Sequence, residues 1–283
     1  MSSSCYSCIL DRAKFEADMV LNTEAEKTQA MEELLAFMAD NKGGVPALVG
    51  TQREVIIKRR SKNVDPYHDL KAEANQVAEA LLPAAERFYL QSKDKLEALI
   101  RIAAAANSME FGVKGHNFEN ATFGQIFCDI LAENLQWDLE EIRKRLERFE
   151  NILYLTDNSG EAIFDLFVIE KLKEMGKRVV IASKSEPILN DVTAYEMRSF
   201  TDNEVIPAGP VVGTWLDKIT PELSALLFDK DWLVISKGMG NFETMSEYDC
   251  KLAGRLIYIL RAKCEPVAAA LGAAKGSLVA KAI

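Results

Sequence analysis

Through the first half of the chain, apolar residues recur at three- and four-residue spacing, as at Leu96, Leu99, Ile100 and Ala103. That period puts them on one face of a helix. The pattern predicts helices near 8–39, 47–60, 66–90, 92–110, 121–134 and 138–149, in stretches rich in Ala, Leu, Glu, Lys and Arg. Breaks fall at Asn41-Lys42-Gly43-Gly44-Val45-Pro46, at Asp65-Pro66 and from Gly112 to Asn120.

From Asn151 the period changes. Ile152-Leu153-Tyr154-Leu155 is a short apolar run, broken by Asp157-Asn158-Ser159-Gly160. A helix is predicted from Glu161 to Met175, closed by Gly176. Val179-Val180-Ile181-Ala182 follows, which completes a βαβ unit. Further runs lie at Glu204-Val205-Ile206, Trp232-Leu233-Val234-Ile235 and Leu256-Ile257-Tyr258-Ile259-Leu260. Continuous apolar strands separated by helices predict a parallel sheet covered on both faces. The change of period divides the chain into a helical domain at 1–148 and an α/β domain at 149–283.

Polar residues gather just after the strands. Asp157 and Asn158 follow the first run, and Lys184, Asn190 and Asp191 the second. Lys237, Gly238 and Asn241 follow a later one, and Lys263 the last. Open parallel sheets bind ligands beyond the carboxyl ends of their strands, so these residues should meet on one rim. Asp157, Asn158 and Asp191 offer hard oxygen ligands for a divalent ion. Lys237 and Lys263 offer cations, and the helix opened by Gly160 has free N–H groups that favour an anion. A metal, a lysine and a helix N-terminus together make a phosphate site. The plainer reading of Asp157-Asn158-Ser159-Gly160 alone is a turn with a helix cap.

Composition narrows the classes. The 283 residues are 48% hydrophobic and 27% charged, a folded soluble composition. A formal charge of −9 argues against a general nucleic-acid binder but not against a small anionic substrate. No basic-then-apolar leader opens the chain and no stretch of about 18 apolar residues is present, so a cytoplasmic protein without a membrane span is expected. The five cysteines are odd in number and scattered, as reduced thiols are.

Several motifs together resemble the metal-dependent damage-control phosphatases, long filed as a domain of unknown function. They are Asp157-Asn158-Ser159-Gly160-Glu161, Leu189-Asn190-Asp191-Val192-Thr193 and Ser236-Lys237-Gly238-Met239-Gly240-Asn241-Phe242. Upstream lie Asp65-Pro66-Tyr67 with Lys71 and Asn75, and Ala106-Asn107-Ser108-Met109-Glu110-Phe111-Gly112. Cys5-Tyr6-Ser7-Cys8 opens the chain as in the archaeal and bacterial branch, and Lys263-Cys264-Glu265-Pro266-Val267-Ala268 comes near the end. The resemblance implies a helical N-terminal part packed on a three-layer α/β/α, Rossmann-like domain with a mainly parallel sheet. It implies a divalent metal (Mg²⁺, Mn²⁺, Co²⁺ or Ni²⁺) held by Asp157, Asn158 and Asp191, and hydrolysis of phosphate monoesters of small metabolites, such as sugar phosphates or damaged phosphometabolites. Asp157, Asn158, Lys237 and Glu161 are then the expected catalytic residues. Asn107, Ser159, Lys237, Gly238 and Asn241 are expected to bind substrate, Lys237 against the phosphate. Glu110 departs from the family's more usual Asp.

Other features have plainer readings. Cys5 and Cys8 lack the partners of a zinc site or the setting of a redox pair, so packing or a pocket-side place is expected. His68 and His116 sit in no metal spacing. Gly238-Met239-Gly240 lacks the third glycine of a dinucleotide loop. Glu140-Glu141-Ile142-Arg143-Lys144-Arg145 is expected to be a solvated helix face, and Lys71 with Asn75 a solvated pair. Two other functions compete: an adenosylmethionine-dependent methyltransferase and a non-catalytic metal or metabolite binder. The methyltransferase wants a glycine-rich first turn and an acid after the second strand, where this chain has Asp157-Asn158-Ser159-Gly160 and Lys184. Asp157 stands where a phosphorylated aspartate would, yet Ser159 replaces the second acid, which favours attack by water.

Overall fold

Alternation along the buried strands builds the core from both sides. Within β2 (Asn151–Leu155), Ile152 and Tyr154 face one layer while Leu153 and Leu155 face the other. The computed structural model describes residues 1–108 and 120–283. The other strands are β1 (Leu135–Trp137), β3 (Arg178–Ser183), β4 (Val205–Pro207), β5 (Trp232–Lys237), β6 (Leu256–Arg261) and β7 (Leu278–Ala282). They form a sheet in the order β1-β7-β6-β5-β2-β3-β4. All pairings are parallel except β6 with β7. The chain order reverses between β2 and β5, which makes that junction the topological switch point.

One face of the sheet is covered by α4 (His68–Gln91), α5 (Lys95–Ala106), α6 (Asn120–Ala132), α7 (Leu139–Arg148) and α8 (Glu161–Glu174). The other is covered by α10 (Pro221–Phe228), α11 (Gly238–Met245) and α12 (Glu265–Leu271), while α9 (Ala194–Phe200) packs beside β4. The three-layer α/β architecture is as expected. α1 (Ser3–Val20), α2 (Glu24–Asp40) and α3 (Pro46–Ser61) have a small core of their own, and α3 packs on α11. One hydrophobic core therefore runs straight across residue 148, from α4 to the sheet.

Several elements differ from the sequence reading. The helix expected over 8–39 is two, because Thr23 and Glu26 form a capping box that restarts the chain as α2. β1, of three residues, and β7, of five, are not among the expected strands. The charged run on α7 is not simply solvated: Ile142 is core, and Arg145 is buried with Nη1 donating to Leu256 O at 2.7 Å. Lys71 is likewise buried, in ion pairs of 2.7 Å with Asp65 and with Glu196. Gly160 N donates to Asn75 Oδ1 at 2.6 Å, so this pair braces the start of α8. Glu110 and His116 lie outside the described residues.

Candidate active site

Two loops meet at the switch point because backbone groups pin them. Ser159 N donates to Asn190 O at 2.8 Å and Val192 N to Asp157 O at 3.0 Å. Asn158 and Asp191 thereby pair as an isolated antiparallel bridge. Just before Asp191, Leu189 takes a left-handed φ of 48°, and its N–H donates to Glu54 on α3. A non-glycine residue in that conformation is held by its surroundings, here by a carboxylate from the helical region.

The third side of the junction is the end of β5. Gly238 opens α11 with φ 78°, and a Cβ there would lie 1.9 Å from Asp157 Oδ2. The helix N-terminus thus closes directly onto the carboxylate, which a side chain would prevent. Met239 and Gly240 then border a cavity of about 330 Å³. Asp157, Asn158, Asp191 and Lys263 line the same cavity from the strand ends. Cys8 and Arg12 of α1, Arg53 of α3, and Tyr67 line it from the helical side. Larger surface grooves, of about 670 and 860 Å³, hold none of these residues.

Hydrogen bonds set which oxygens face the cavity. Asn107 Nδ2 donates to Asp157 Oδ2 at 3.0 Å and to Glu161 Oε2 at 2.9 Å. Asn158 Nδ2 donates to the same two oxygens, at 2.8 and 3.2 Å. Among the described residues, Asp157 Oδ1 and Asn158 Oδ1 accept no hydrogen bond, and Asp191 Oδ2 has no hydrogen-bond partner, only a longer ion pair with Lys184 Nζ at 3.6 Å. Burial, the charge of Asp191 and that of Glu161 hold Asp157 well above the usual carboxylate range, against Lys263 and Lys184. Burial pushes Asp191 up as well, against the pull of Lys184. Hard oxygens of two carboxylates and an amide are the donor set a divalent cation takes. Among the described residues no three His, Cys, Asp or Glu side chains are placed to hold a metal ion; the junction brings together two carboxylates and the amide of Asn158.

Several expected site residues lie behind the cavity wall. Lys237 does not line the cavity: it is fully buried, paired with Glu161 and, at 2.6 Å, with Asp165 Oδ1. Burial opposes its charge, but Asp165 and Glu161 hold its ammonium above the ordinary lysine range. Asn241 Nδ2 donates to Thr156 O at 3.0 Å and Lys237 O at 2.8 Å, and its Oδ1 accepts from Thr214 at 2.8 Å, so its amide is used within the fold. Asn107 is buried and its Oδ1 accepts from Arg261 N at 3.0 Å; it buttresses Asp157 and Glu161 rather than opening to the cavity. Ser159 is buried, with no hydrogen-bond partner for its hydroxyl among the described residues. Glu161 joins Asn107, Asn158 and Lys237 beneath the cavity floor.

Sequence reasoning missed Asp165, Arg53 and Arg12. Asp165 sits inside α8 amid apolar residues, one turn after the equally buried Glu161, and a carboxylate on a buried helix face is the signal that marks it. Arg53 and Arg12 sit in ordinary amphipathic helices and carry no such mark. The described cysteines are all free; Cys8 and Cys264 border the cavity and Cys5 is buried.

The sequence profile of the Damage-control phosphatase ARMT1-like domain matches residues 1–279. The chain belongs to this family. A damage-control phosphatase of Archaeoglobus fulgidus is 30% identical over 292 residues, covering 100% of this chain and 99% of that protein. An uncharacterised protein of Methanocaldococcus jannaschii is 32% identical, covering 97% of this chain and 93% of that one. The crystal structure of a DUF89 family protein from Pyrococcus horikoshii superposes with a TM-score of 0.87 at 29% identity, over 99% of this chain and 97% of that one. The damage-control family thus spans both the sheet and the helical region that closes the cavity.

Proposed function

We propose that this protein is a metal-dependent phosphatase that hydrolyses phosphate monoesters of small metabolites, such as sugar phosphates or damaged phosphometabolites, in the cytoplasm. Membership of the damage-control family supports the reaction class. The observation that carries the reading is the set of three oxygens without a hydrogen bond among the described residues, on Asp157, Asn158 and Asp191, beside Lys263 and the N-terminus of α11.

A divalent ion (Mg²⁺, Mn²⁺, Co²⁺ or Ni²⁺) held by Asp157, Asn158 and Asp191 would supply Lewis-acid polarisation of the phosphoryl group. The protein's own groups do the rest. Lys263 and the first N–H groups of α11 favour the charge that gathers on the phosphoryl oxygens. Asn107 and Asn158 hold Asp157 and Glu161 in place, so no carboxylate reorganises during the reaction. Ser159, where aspartyl-phosphate chemistry would want a second acid, is buried, which favours direct attack by water. Lys237 keeps Glu161 and Asp165 charge-balanced beneath the site and does not touch the phosphate. No helix among the described residues is long and apolar enough to cross a membrane, and the net charge of −9 fits a small-metabolite partner better than nucleic acid.

Phosphate release should be measured from p-nitrophenyl phosphate and a sugar phosphate panel with each divalent ion, with calorimetry of Mn²⁺ binding. Asp157→Ala and Asp191→Ala should lose both binding and turnover, and Asn158→Ala should weaken both. A folded wild type that releases no phosphate with any ion, or an Asp157→Ala variant at full activity, would overturn the reading.

A further inference from the structure

The cavity wall facing the carboxylates comes from the helical region, and the hydrolysis derived above makes no use of it. Arg53 borders the cavity although it is 5% exposed. Its Nε donates to Glu16 Oε2 at 3.0 Å, and Glu16 is fully buried on α1. Among the described residues this is the hydrogen bond its guanidinium makes, and neither Nη atom is sealed in the core without a partner. The buried carboxylate therefore grips the side chain by its Nε and leaves the Nη end to the cavity. Tyr67 borders the same stretch at 4% exposure, and its hydroxyl donates to no group among the described residues. Arg12 adds a further cation to this wall.

A guanidinium fixed in this way is a ready fork for an oxyanion, because its planar donors match a carboxylate or phosphate without rearrangement. Asp157, Asn158, Asp191 and Lys263 reach the cavity from the strand ends, whereas Arg53 and Arg12 reach it from α3 and α1. With a phosphoryl group at the strand-end carboxylates and Lys263, the arginine of the helical wall is left for the remainder of the molecule.

We propose that Arg53, anchored by Glu16, recognises a second anionic group on the substrate, so that the preferred class is a small phosphate monoester carrying a further carboxylate or phosphate. The proposal rests on the phosphatase reading and narrows it. Glu16 and Arg53 belong to different helices, so the subsite exists once α1 and α3 are packed.

The test compares a hexose monophosphate, a hexose bisphosphate and a phosphorylated sugar acid, on wild type, Arg53→Gln and Arg53→Lys. Thermal melts establish that each variant is folded; Arg53→Lys retains a cation beside Glu16 should Arg53→Gln fail to fold. Wild type should favour one or both doubly anionic substrates in kcat/KM, and the bisphosphate and sugar-acid arms tell phosphate from carboxylate. Losing a charged hydrogen-bonded contact should reduce that preference about ten- to a hundredfold in the variants. A wild type with no preference, or variants that lose all three substrates in equal proportion, would overturn the proposal. Calorimetry with the bisphosphate and the monophosphate separates it from the parent reading: discrimination in binding that vanishes in the variants, with no hydrolysis of any substrate, would sink the phosphatase reading and leave the subsite standing.

Discussion

Gly238 stands so close to Asp157 that a Cβ would fall 1.9 Å from Oδ2 and 2.2 Å from the carboxyl carbon. Backbone conformation adds to the constraint, since φ is 78° there. Gly238→Ala should therefore cost about 1–2 kcal/mol in backbone strain alone. Its larger effect should be on Asp157, which has to move. A displacement of about 1 Å should lower phosphate release on the order of a hundredfold. Steady-state assay beside urea melts checks this; a variant with wild-type kcat would show that the contact does not position Asp157.

Lys237 balances two carboxylates in a region without water-exposed surface. Removing the cation leaves Asp165 and Glu161 buried and uncompensated. Lys237→Met should destabilise by about 3–5 kcal/mol, measured by urea unfolding. Lys237→Met combined with Asp165→Asn should recover part of that loss, because one of the stranded charges goes with it. A single variant as stable as wild type would remove the ion pairs from any account of stability.

Glu16 gives stability a pH dependence of definite sign. Burial raises its carboxyl from 4.5 to about 7, against the pull of Arg53. Between those values the folded protein keeps the proton that the unfolded chain releases, so this group's contribution to stability falls as pH rises. Glu16→Gln lacks the titration. The stability difference between variant and wild type should shift in the variant's favour by up to about 3 kcal/mol across that window. Urea unfolding at a series of pH values reads the slope, and parallel curves would contradict the shift.

Asn107 bridges Asp157 and Glu161 from the end of α5. Asn107→Ala would leave each carboxylate one donor short. Groups that orient metal ligands are worth about ten- to a hundredfold in metal affinity, and a loss of that size is expected for Mn²⁺ by calorimetry. Unchanged affinity would confine Asn107 to packing.

The strand-end residues were legible because a parallel sheet turns sequence position into place: Asp157, Asn158, Asp191 and Lys263 meet although they are far apart in the chain. What the pattern could not resolve was which polar residue faces the cavity and which lies one layer behind. Lys237 and Asn241 follow a strand just as Asp157 does, yet they turn inward, toward Asp165 and toward Thr156 and Thr214. That choice is made by partners on other elements, which no local spacing records. Arg53 was invisible for the same reason: its place depends on how α1 and α3 dock. The end strands escaped notice because β1 is three residues long and β7 comes after a helix of only seven residues and pairs antiparallel with β6.

The pairing of β1 with β7 sets a timetable for the growing chain. Leu135, Gln136 and Trp137 are made well before their partners Leu278, Val279 and Ala280, which follow the other six strands. During synthesis the middle strands can associate as they appear, while β1 waits beside an unfinished edge. A stalled ribosome near residue 270 would hold a nascent chain with an open, apolar flank, which is the species a chaperone would be expected to guard.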